Sequence, residues 1–298
     1  MVGWGFLGAA IGTSLFQRGA AVSGLTRSET SRVQAARLSG IEVLIGDAGD
    51  RPTMEQSMIG VDHVVYLAGG LDPPTAAQRP LDDAMGTLSP LLCTLETMRS
   101  LGSGSFTYIS SGGTVYGNRP RGFAAETDPP MPISAYGVSR FAGETYSQMY
   151  SRTYGVTARI VRCGNVYGPG QSDKRPQGAV AVFLSRVAGG LTISIAGSGA
   201  AIRDYVYIDD VASALGHLLL NRVDFGVINI GSGSGHSVID LLAVVSETVG
   251  RSPVVEFVPR RFHDVDEIVL DISKLRSLIP YEPMTLVDGV AATWEAIK

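Results

Sequence analysis

The sequence has little charge and no excess of basic residues. Asp, Glu, Lys and Arg make up 17% of its 298 residues, whereas about 25% is usual for soluble proteins. Hydrophobic residues make up 45%, a content that excludes an intrinsically disordered chain. With 28 acidic and 24 basic residues the net charge is −4, which argues against a protein dedicated to nucleic-acid binding.

Cysteine, histidine and long apolar runs are also scarce. The two cysteines, Cys93 and Cys163, form no CxxC pair and cannot build a disulfide scaffold. The four histidines lack metal-ligand spacing. No apolar run reaches the roughly 18 residues of a membrane span, and the N-terminus lacks the basic and apolar regions of a signal peptide. We therefore expect a cytoplasmic protein with no metal, membrane or nucleic-acid partner.

Glycine, in contrast, is abundant, and strand-like segments alternate with helix-like ones. Glycine occupies 37 positions without a Gly-X-Y period, which excludes collagen and indicates turns and close backbone approaches. Apolar, β-branched runs lie at 21–25, 41–45, 63–68, 106–109 and 157–161, and helix-length segments at 9–18, 82–100 and 138–154. This alternation predicts an α/β fold with a Rossmann-type, doubly wound parallel sheet.

The second half of the chain differs in character. Segments 168–204 and 232–285 contain short elements interrupted by Gly and Pro. The pattern predicts a dinucleotide-binding domain over 1–165, to which 205–232 returns. Residues 166–298 are then mainly a smaller substrate-binding lobe.

The glycine loop, Gly3–Gly8, has the pattern Gly-x-Gly-x-x-Gly at the start of a predicted helix. In such loops the first glycine permits a tight turn, the second lets the backbone approach a pyrophosphate, and the third lets helix pack on strand. The helix N-terminus then binds the phosphates, so the loop predicts a dinucleotide site. Only Met1 and Val2 precede it, where a central strand of about five to eight residues is expected. We therefore expect the native start to lie upstream.

The end of the second predicted strand indicates which dinucleotide binds. An acidic residue about 20 residues after the loop would favour NAD, but the chain has Thr26-Arg27-Ser28 there. A cation flanked by hydroxyls suits a 2′-phosphate, so NADP is favoured over NAD. The alternative is that Arg27 is a solvated side chain beside Glu29.

A tyrosine and an arginine form the candidate catalytic pair. A hydroxyl-rich segment, 108–117, ends a predicted strand, and Tyr136 and Arg140 follow in the next predicted helix. Their i, i+4 spacing places them on one helix face, where a cation favours the phenolate that proton transfer requires. The alternative is an ordinary amphipathic helix with a partly buried tyrosine.

Further motifs occur in order along nearly the whole chain. Besides the glycine loop they are Gly46-Asp47, Leu67-Ala68-Gly69, Ser110–Gly117, Tyr136-x-x-x-Arg140, 162–170, Arg203–Asp210 and Leu270–Leu275. With these motifs the chain resembles the extended short-chain dehydrogenases/reductases, specifically the NAD-dependent epimerase/dehydratase family, which acts on nucleotide sugars.

The resemblance implies a role for each matching residue. Tyr136 would be the proton acceptor or donor, with Arg140 beside it at the cofactor. The other cofactor contacts would be Gly3, Gly5, Phe6, Leu7 and Gly8 at the pyrophosphate, Asp47 and Ala48 near the adenine, Leu67, Ala68 and Gly69 along the cleft, and Ser110 near the nicotinamide. Thr26 and Arg27, proposed above from their place after the second strand, are further candidate cofactor contacts. The sugar-nucleotide diphosphate would be bound by Asn165, Arg203 and Arg261, since the arginine fork suits phosphate oxygens.

The chain departs from the family pattern in its catalytic loop. The usual catalytic Ser/Thr position falls on Gly112, so Ser111 or Thr114 is expected to supply the hydroxyl. Thr114 is favoured because it shares a face with Ser110 if strand alternation continues. Dehydratases of the family carry an Asp-Glu pair just after the catalytic threonine, where this chain has Gly113 and Thr114, so 4,6-dehydration is disfavoured.

Two more departures concern charge. Arg140 stands where the family has lysine, and Asp83 where an asparagine often contacts the cofactor. These departures predict altered kinetics, a different reaction or a weakened enzyme. We expect an epimerase that works through a transient keto intermediate; the alternatives are an NADPH-dependent 4-ketosugar reductase and a nucleotide-binding regulator with weakened catalysis.

Three expectations concern the surface and the interior. The helices near 82–100 and 138–154 are apolar enough to pair in a homodimer through a four-helix bundle. The proline-rich segment 119–132 is expected to be a surface loop over the active site. Cys163 is expected to be a small buried residue.

Overall fold

Helices and strands alternate along the first half of the chain, in agreement with the sequence. The computed structural model describes residues 1–102, 104–118, 122–173, 178–260 and 264–298. The helices are α1 (Phe6–Gln17), α2 (Ser31–Leu38), α3 (Arg51–Ser57), α4 (Pro73–Gln78), α5 (Pro80–Leu101), α6 (Gly112–Val115), α7 (Ala135–Tyr154), α8 (Ala179–Gly189), α9 (Ile208–Leu220), α10 (Val238–Val249), α11 (Ser273–Leu278) and α12 (Leu286–Glu295). The strands are β1 (Ser23–Thr26), β2 (Glu42–Ile45), β3 (His63–Tyr66), β4 (Ser105–Ser111), β5 (Thr157–Cys163), β6 (Asn165–Tyr167), β7 (Thr192–Ala196), β8 (Ile202–Tyr207), β9 (Val227–Ile230), β10 (Gly235–Ser237), β11 (Val254–Val258) and β12 (Glu267–Ile268).

Short polar residues fix where several helices begin. The side chains of Thr30, Asp50 and Asp72 accept a hydrogen bond from the backbone N–H three residues later, at the starts of α2, α3 and α4. Ser237 and Thr285 do the same for α10 and α12. Such caps satisfy amides that have no partner inside the helix, and each stabilises the fold by about 1 kcal/mol.

The main sheet is parallel wherever its strand pairing is resolved. Strand β1 pairs in parallel with β2, and β3 with β4, in a row that continues through β5 to β9. Val2, which is 4% exposed, bridges in parallel to Leu25 of β1 and to Tyr66 of β3. This residue joins the two groups of strands into one sheet, which confirms the predicted α/β architecture.

Trp4, inside the glycine loop, packs where two glycines leave room for it. Its side chain is 2% exposed. A Cβ added at Gly12 of α1 or at Gly24 of β1 would lie only 2.5 Å from the Trp4 ring. The ring therefore occupies space that any larger residue at either glycine would take, and it fastens the loop to the first βα unit.

Backbone contacts divide the chain into two compact units. The first comprises Met1–Ser111, Ala135–Arg162 and Ala212–Ile228. The second comprises Gly112–Ser134, Cys163–Val211 and Asn229–Lys298. The segment that returns to the first unit is thus Ala212–Ile228, within the predicted 205–232.

The second unit is organised around β8. This strand pairs antiparallel with β10 and parallel with β12 and β6, while β7 and β11 form a separate parallel pair. Asp204 of β8 is buried and accepts hydrogen bonds from the backbone amides of Ser232, Gly233 and Leu270. One carboxylate thereby fixes the loop after β9 to the segment after β12.

The expectation that 119–132 is a surface loop is wrong for part of that segment. Residues 119–121 lie outside the described part of the chain, but Ala124 is 0% exposed and bridges to Leu270. Its amide donates to the carbonyl of Val269 at 2.7 Å. The segment is therefore tied into the second unit by backbone pairing, which its proline content did not indicate.

The described residues include no candidate membrane-spanning helix and no candidate metal site. None of their helices combines the length and apolar character needed to cross a bilayer. Likewise, they contain no group of three or more His, Cys, Asp or Glu side chains arranged to hold a metal ion.

Candidate active site

The glycine loop is tightly packed at Gly3 and Gly8 and open at Gly5. Gly3 has φ +106°, and a Cβ there would lie 2.8 Å from the amide nitrogen of Ala68. A Cβ at Gly8 would lie 2.0 Å from the carbonyl oxygen of Gly3. At Gly5, however, a Cβ would meet nothing within 4 Å.

The open position lies at the N-terminus of α1. Gly5 is the N-cap, no side chain caps the helix, and its first turn contains no acidic residue. The amides of Phe6 and Leu7 therefore begin a 12-residue helix with its positive dipole end uncompensated. Free space over Gly5 and first-turn amides without an intrahelical partner are what a dinucleotide pyrophosphate requires, so these residues fit the predicted cofactor.

The residues expected around the adenosine follow the first two strands. Thr26 ends β1, and Arg27 and Ser28 are exposed. The carboxylate of Glu29 pairs with Arg37 at 3.0 Å, and within the described part of the chain no ion pair joins Arg27 to Glu29. The contact of Arg27 with the cofactor stays a prediction.

Asp47 and Ala48 follow β2. Asp47 is exposed and its Oδ1 accepts a hydrogen bond from the amide of Gly49 at 2.7 Å, whereas Ala48 is 6% exposed. The backbone there is held against β1, since the amide of Gly46 donates to the carbonyl of Thr26. The carboxylate of Asp47 is accordingly presented at the edge of the sheet.

The segment after β3 lies against helix α5. Leu67 donates its amide to the carbonyl of Val2, and Ala68 and Gly69 follow. Gly69 has φ +112°, and a Cβ there would lie 3.0 Å from the carbonyl oxygen of Gly86 in α5. Because only glycine tolerates this close approach, the turn is fixed at the carboxyl end of the strand.

The structure brings the candidate catalytic pair together. Tyr136 is half-buried in the first turn of α7, and Arg140 is 7% exposed. The guanidinium carbon of Arg140 lies 4.9 Å from the centre of the Tyr136 ring, and its Nη2 donates to the carbonyl of Gly69 at 3.2 Å. A fixed positive charge therefore lies against the ring, as the i, i+4 spacing predicts.

The surroundings of Arg140 keep the guanidinium charged. Burial acts to lower the pKa of Arg140, but Tyr136, Tyr108 and Asp83 together raise it above the usual arginine value. Burial raises the pKa of Tyr108 to about 12, against the opposing effect of Arg140. Tyr108 is consequently neutral near pH 7, and Arg140 is the cation of this site.

Ser110 is held by a buried ion pair. Its Oγ donates to Oε1 of Glu144 at 2.5 Å, and the same carboxylate pairs with Arg162 at 2.7 Å. The side chains of Glu144 and Arg162 are 1% and 4% exposed. The predicted contact of Ser110 with the nicotinamide stays a prediction, but its hydroxyl hydrogen is directed toward Glu144.

Sequence reasoning missed Glu144. The residue lies one helical turn beyond Arg140 on the buried side of α7. That spacing was a usable signal, because a carboxylate four residues from a catalytic cation shares its helix face. Its partner, Arg162 at the end of β5, could not be found from local spacing.

The catalytic loop turns into a helix earlier than expected. Ser111 ends β4, and Gly112–Val115 form the short helix α6. The alternation that favoured Thr114 stops at Ser111, so that reason for preferring Thr114 is wrong. Gly112 itself is buried within α6.

Two of the three predicted diphosphate ligands lie in the described part of the second unit. Asn165 of β6 pairs with Tyr205 of β8, and Arg203 lies two residues earlier on β8. Nη1 of Arg203 donates to the carbonyl of Ile202, and burial lowers the pKa of Arg203. Arg261 lies outside the described residues.

Cys163 is a buried residue with an unreactive thiol. It is 4% exposed, and burial raises the pKa of its thiol to about 12. Since the thiolate is the reactive form, this result supports the predicted packing role.

Known proteins resemble the chain along most of its length. A model of the NAD dependent epimerase/dehydratase family matches residues 2–231. A putative UDP-glucose 4-epimerase of Methanocaldococcus jannaschii is 32% identical over 231 residues, which are 77% of this chain and 75% of the relative. Among solved structures, the UDP-glucose 4-epimerase of Thermotoga maritima with UDP-glucose has a TM-score of 0.91 at 31% identity, covering 99% of this chain and 96% of that chain. The Thermus thermophilus UDP-glucose 4-epimerase with NAD has a TM-score of 0.90 at 31% identity, covering 99% and 97%.

Proposed function

The chain belongs to the NAD-dependent epimerase/dehydratase family, and from that premise we propose that it is an NAD(P)-dependent epimerase of a nucleotide-activated sugar. The contact between Tyr136 and Arg140 carries this proposal, because it supplies a proton-transfer group next to a fixed cation. The names of the compared relatives make UDP-glucose the first substrate to test.

The glycine loop and the turn after β3 hold the cofactor. The amides of Phe6 and Leu7 would hold the pyrophosphate, and Gly69 would line the cleft. A bound nicotinamide would supply reversible hydride transfer to and from a sugar carbon. The protein's part is to fix the cofactor and to control the proton.

Tyr136 controls that proton. Its phenolic oxygen takes the proton from a sugar hydroxyl as the carbon loses its hydride, which leaves a keto sugar. Arg140 stabilises the negative charge on Tyr136 electrostatically, because the guanidinium is buried and its field is weakly screened. Rotation of the keto sugar exposes its other face, and the reverse transfer gives the epimer.

The second unit binds the diphosphate of the substrate. Arg203 is partly buried, and among the described residues it donates one hydrogen bond, to the carbonyl of Ile202. Its fork therefore has further donors for phosphate oxygens. Asn165 and Arg261 complete the proposed set. This binding holds the nucleotide while the sugar turns.

Arg27 supports a preference for NADP over NAD. It is exposed at the end of β1, and the nearby Glu29 pairs with Arg37 instead. We expect Arg27→Ala to weaken NADP binding about tenfold or more and NAD binding little, as measured by calorimetry. Equal losses for both dinucleotides would contradict the preference.

A 4-ketosugar reductase is the second candidate function, and the same Arg27 favours it, because a reductase draws on an external pool of NADPH. The two functions differ in whether they consume the cofactor. An epimerase produces its epimer without net consumption of the cofactor, whereas a reductase consumes one NADPH for each product. A nucleotide-binding regulator would do neither.

An apolar face of α7 supports the proposed homodimer. Val138, Phe141, Ala142, Thr145, Tyr146 and Met149 line one groove. Val138 is 53% exposed and Tyr146 is 38% exposed, and burying such side chains against a second copy would favour association. We expect Val138→Glu to convert a dimer into a monomer in light scattering.

A cytoplasmic location suits the two free cysteines.

The deciding experiment is a substrate panel. The protein is incubated with UDP-, dTDP- and GDP-sugars, with and without NADPH, while absorbance and products are followed. Tyr136→Phe should abolish conversion, and Tyr154→Phe, on the exposed end of the same helix, should not. Full activity in Tyr136→Phe would overturn the mechanism. If no nucleotide sugar of the panel takes part in hydride transfer, the regulator is favoured.

A further inference from the structure

A buried acidic side chain lies close to Arg140. Asp83, in the first turn of α5, is 0% exposed. Its Oδ1 accepts a hydrogen bond from the amide of Leu71 at 2.9 Å, while its buried Oδ2 has no partner among the described residues. The Nε of Arg140 is likewise buried without a partner there. A carboxylate and a guanidinium are thus both withdrawn from solvent in the same region.

Gly70 shows how closely the two groups approach. A Cβ at Gly70 would lie 3.0 Å from Nη2 of Arg140, 3.1 Å from Oδ1 of Asp83 and 2.7 Å from Oγ1 of Thr87. The carboxylate and the guanidinium therefore converge on one face of the Gly69-Gly70 turn. The negative charge of Asp83 is also among the influences that raise the pKa of Arg140.

Electrostatics requires a counter-charge at this depth. An isolated charge buried away from water is strongly unfavourable, and a pair is tolerated only when its partners stay together. The Tyr136 ring contributes a cation–π contact to Arg140, but a neutral ring is a weaker partner than a carboxylate. Asp83 supplies a carboxylate on the same face of the Gly69-Gly70 turn as the guanidinium.

We propose that Asp83 is a positioning residue that holds Arg140 under the Tyr136 ring. Asp83 attaches to the turn through Leu71, and its charge draws the guanidinium toward Gly70, where Nη2 reaches the carbonyl of Gly69. Asp83 and Arg140 then act as one unit, and Gly70 is the residue that leaves room for it. The effect on turnover rests on the function proposed above, whereas the pairing itself does not.

A double-mutant cycle tests the pairing without any substrate. Asp83→Asn keeps the shape and an oxygen for Leu71 but removes the charge, and Arg140→Met removes the cation at similar volume. Each single variant leaves one charge buried alone and should lower Tm by roughly 5 °C or more. The double variant should recover at least about half of the larger loss.

Asp82→Asn is the matched control. Asp82 lies next to Asp83 in the same helical turn, but it is exposed and pairs with Arg79. It reports the loss of an acidic residue at the start of α5, and its Tm should stay within about 2 °C of the parent. The proposal would be overturned if Asp82→Asn and Asp83→Asn lowered Tm equally. It would also be overturned if the double variant were no more stable and no more soluble than the single variants.

Steady-state kinetics separates positioning from plain stability. Measured well below its Tm, Asp83→Asn should lower kcat about tenfold while KM for the sugar nucleotide changes less than about threefold. A kcat equal to that of Asp82→Asn would overturn the positioning role. If the parent converts no nucleotide sugar, the proposed function fails, and the Tm cycle still decides whether the pair exists.

Discussion

The guanidinium of Arg140 lies against the Tyr136 ring, with its central carbon 4.9 Å from the ring centre. Its Nη2 also reaches the carbonyl of Gly69 at 3.2 Å. A lysine at this position would keep the charge but lose the planar group that makes both contacts. The arginine is therefore a fitted part of this site, even though the family pattern has lysine there.

Arg140→Lys should consequently lower activity. We expect kcat to fall about tenfold, equivalent to about 1.4 kcal/mol in transition-state free energy, because the ammonium cannot occupy both positions. Arg152→Lys, an exposed replacement on the same helix, is the control. A faster Arg140→Lys enzyme would mean that the arginine is a handicap.

Gly12→Ala should destabilise the protein, although alanine is the better helix former. In an open helix the exchange stabilises by about 1 kcal/mol, but here the new methyl would lie 2.5 Å from the buried Trp4 ring. We expect a net loss of about 1–3 kcal/mol in urea unfolding. Gly86→Ala in α5, where the nearest atom would be 3.8 Å away, should lose nothing. Equal behaviour of the two variants would contradict the packing argument.

Glu144→Gln should strongly destabilise the fold. The change leaves the Arg162 guanidinium buried without its counter-charge and weakens the acceptor for Ser110. We expect a loss of about 3–5 kcal/mol in the free energy of unfolding. Glu247→Gln, on the exposed side of α10, controls for the substitution. A loss below about 1 kcal/mol for Glu144→Gln would show that the ion pair contributes little.

The sequence alone could predict local arrangements but not contacts between elements that are distant in the chain. The glycine loop and the Tyr136–Arg140 pair were predictable because each is a local spacing on one loop or one helix. The partner of Glu144 is 18 residues away on another element, and periodicity gives a residue's face but not its partner. Ala124 was misjudged for the same reason, since its bridge to Leu270 depends on a segment far away in the sequence.

His63 should make stability fall in mild acid. Its ring nitrogens lie 2.7 Å from Oγ of Ser105 and 2.9 Å from Oγ1 of Thr107, and burial followed by the charge of Arg159 lowers its pKa from 6.5 to about 4. Between these values the unfolded chain binds a proton that the folded chain does not, so folding stability decreases as pH falls from about 6.5 to about 4. The total loss of stability across both pKa values is about 3 kcal/mol, of which about 2.5 kcal/mol should occur between pH 7.5 and 4.5. His63→Gln should remove this part of the loss in urea unfolding, with His236→Gln controlling for the loss of one histidine. If wild type and His63→Gln lose equal stability over that interval, His63 is not the group responsible.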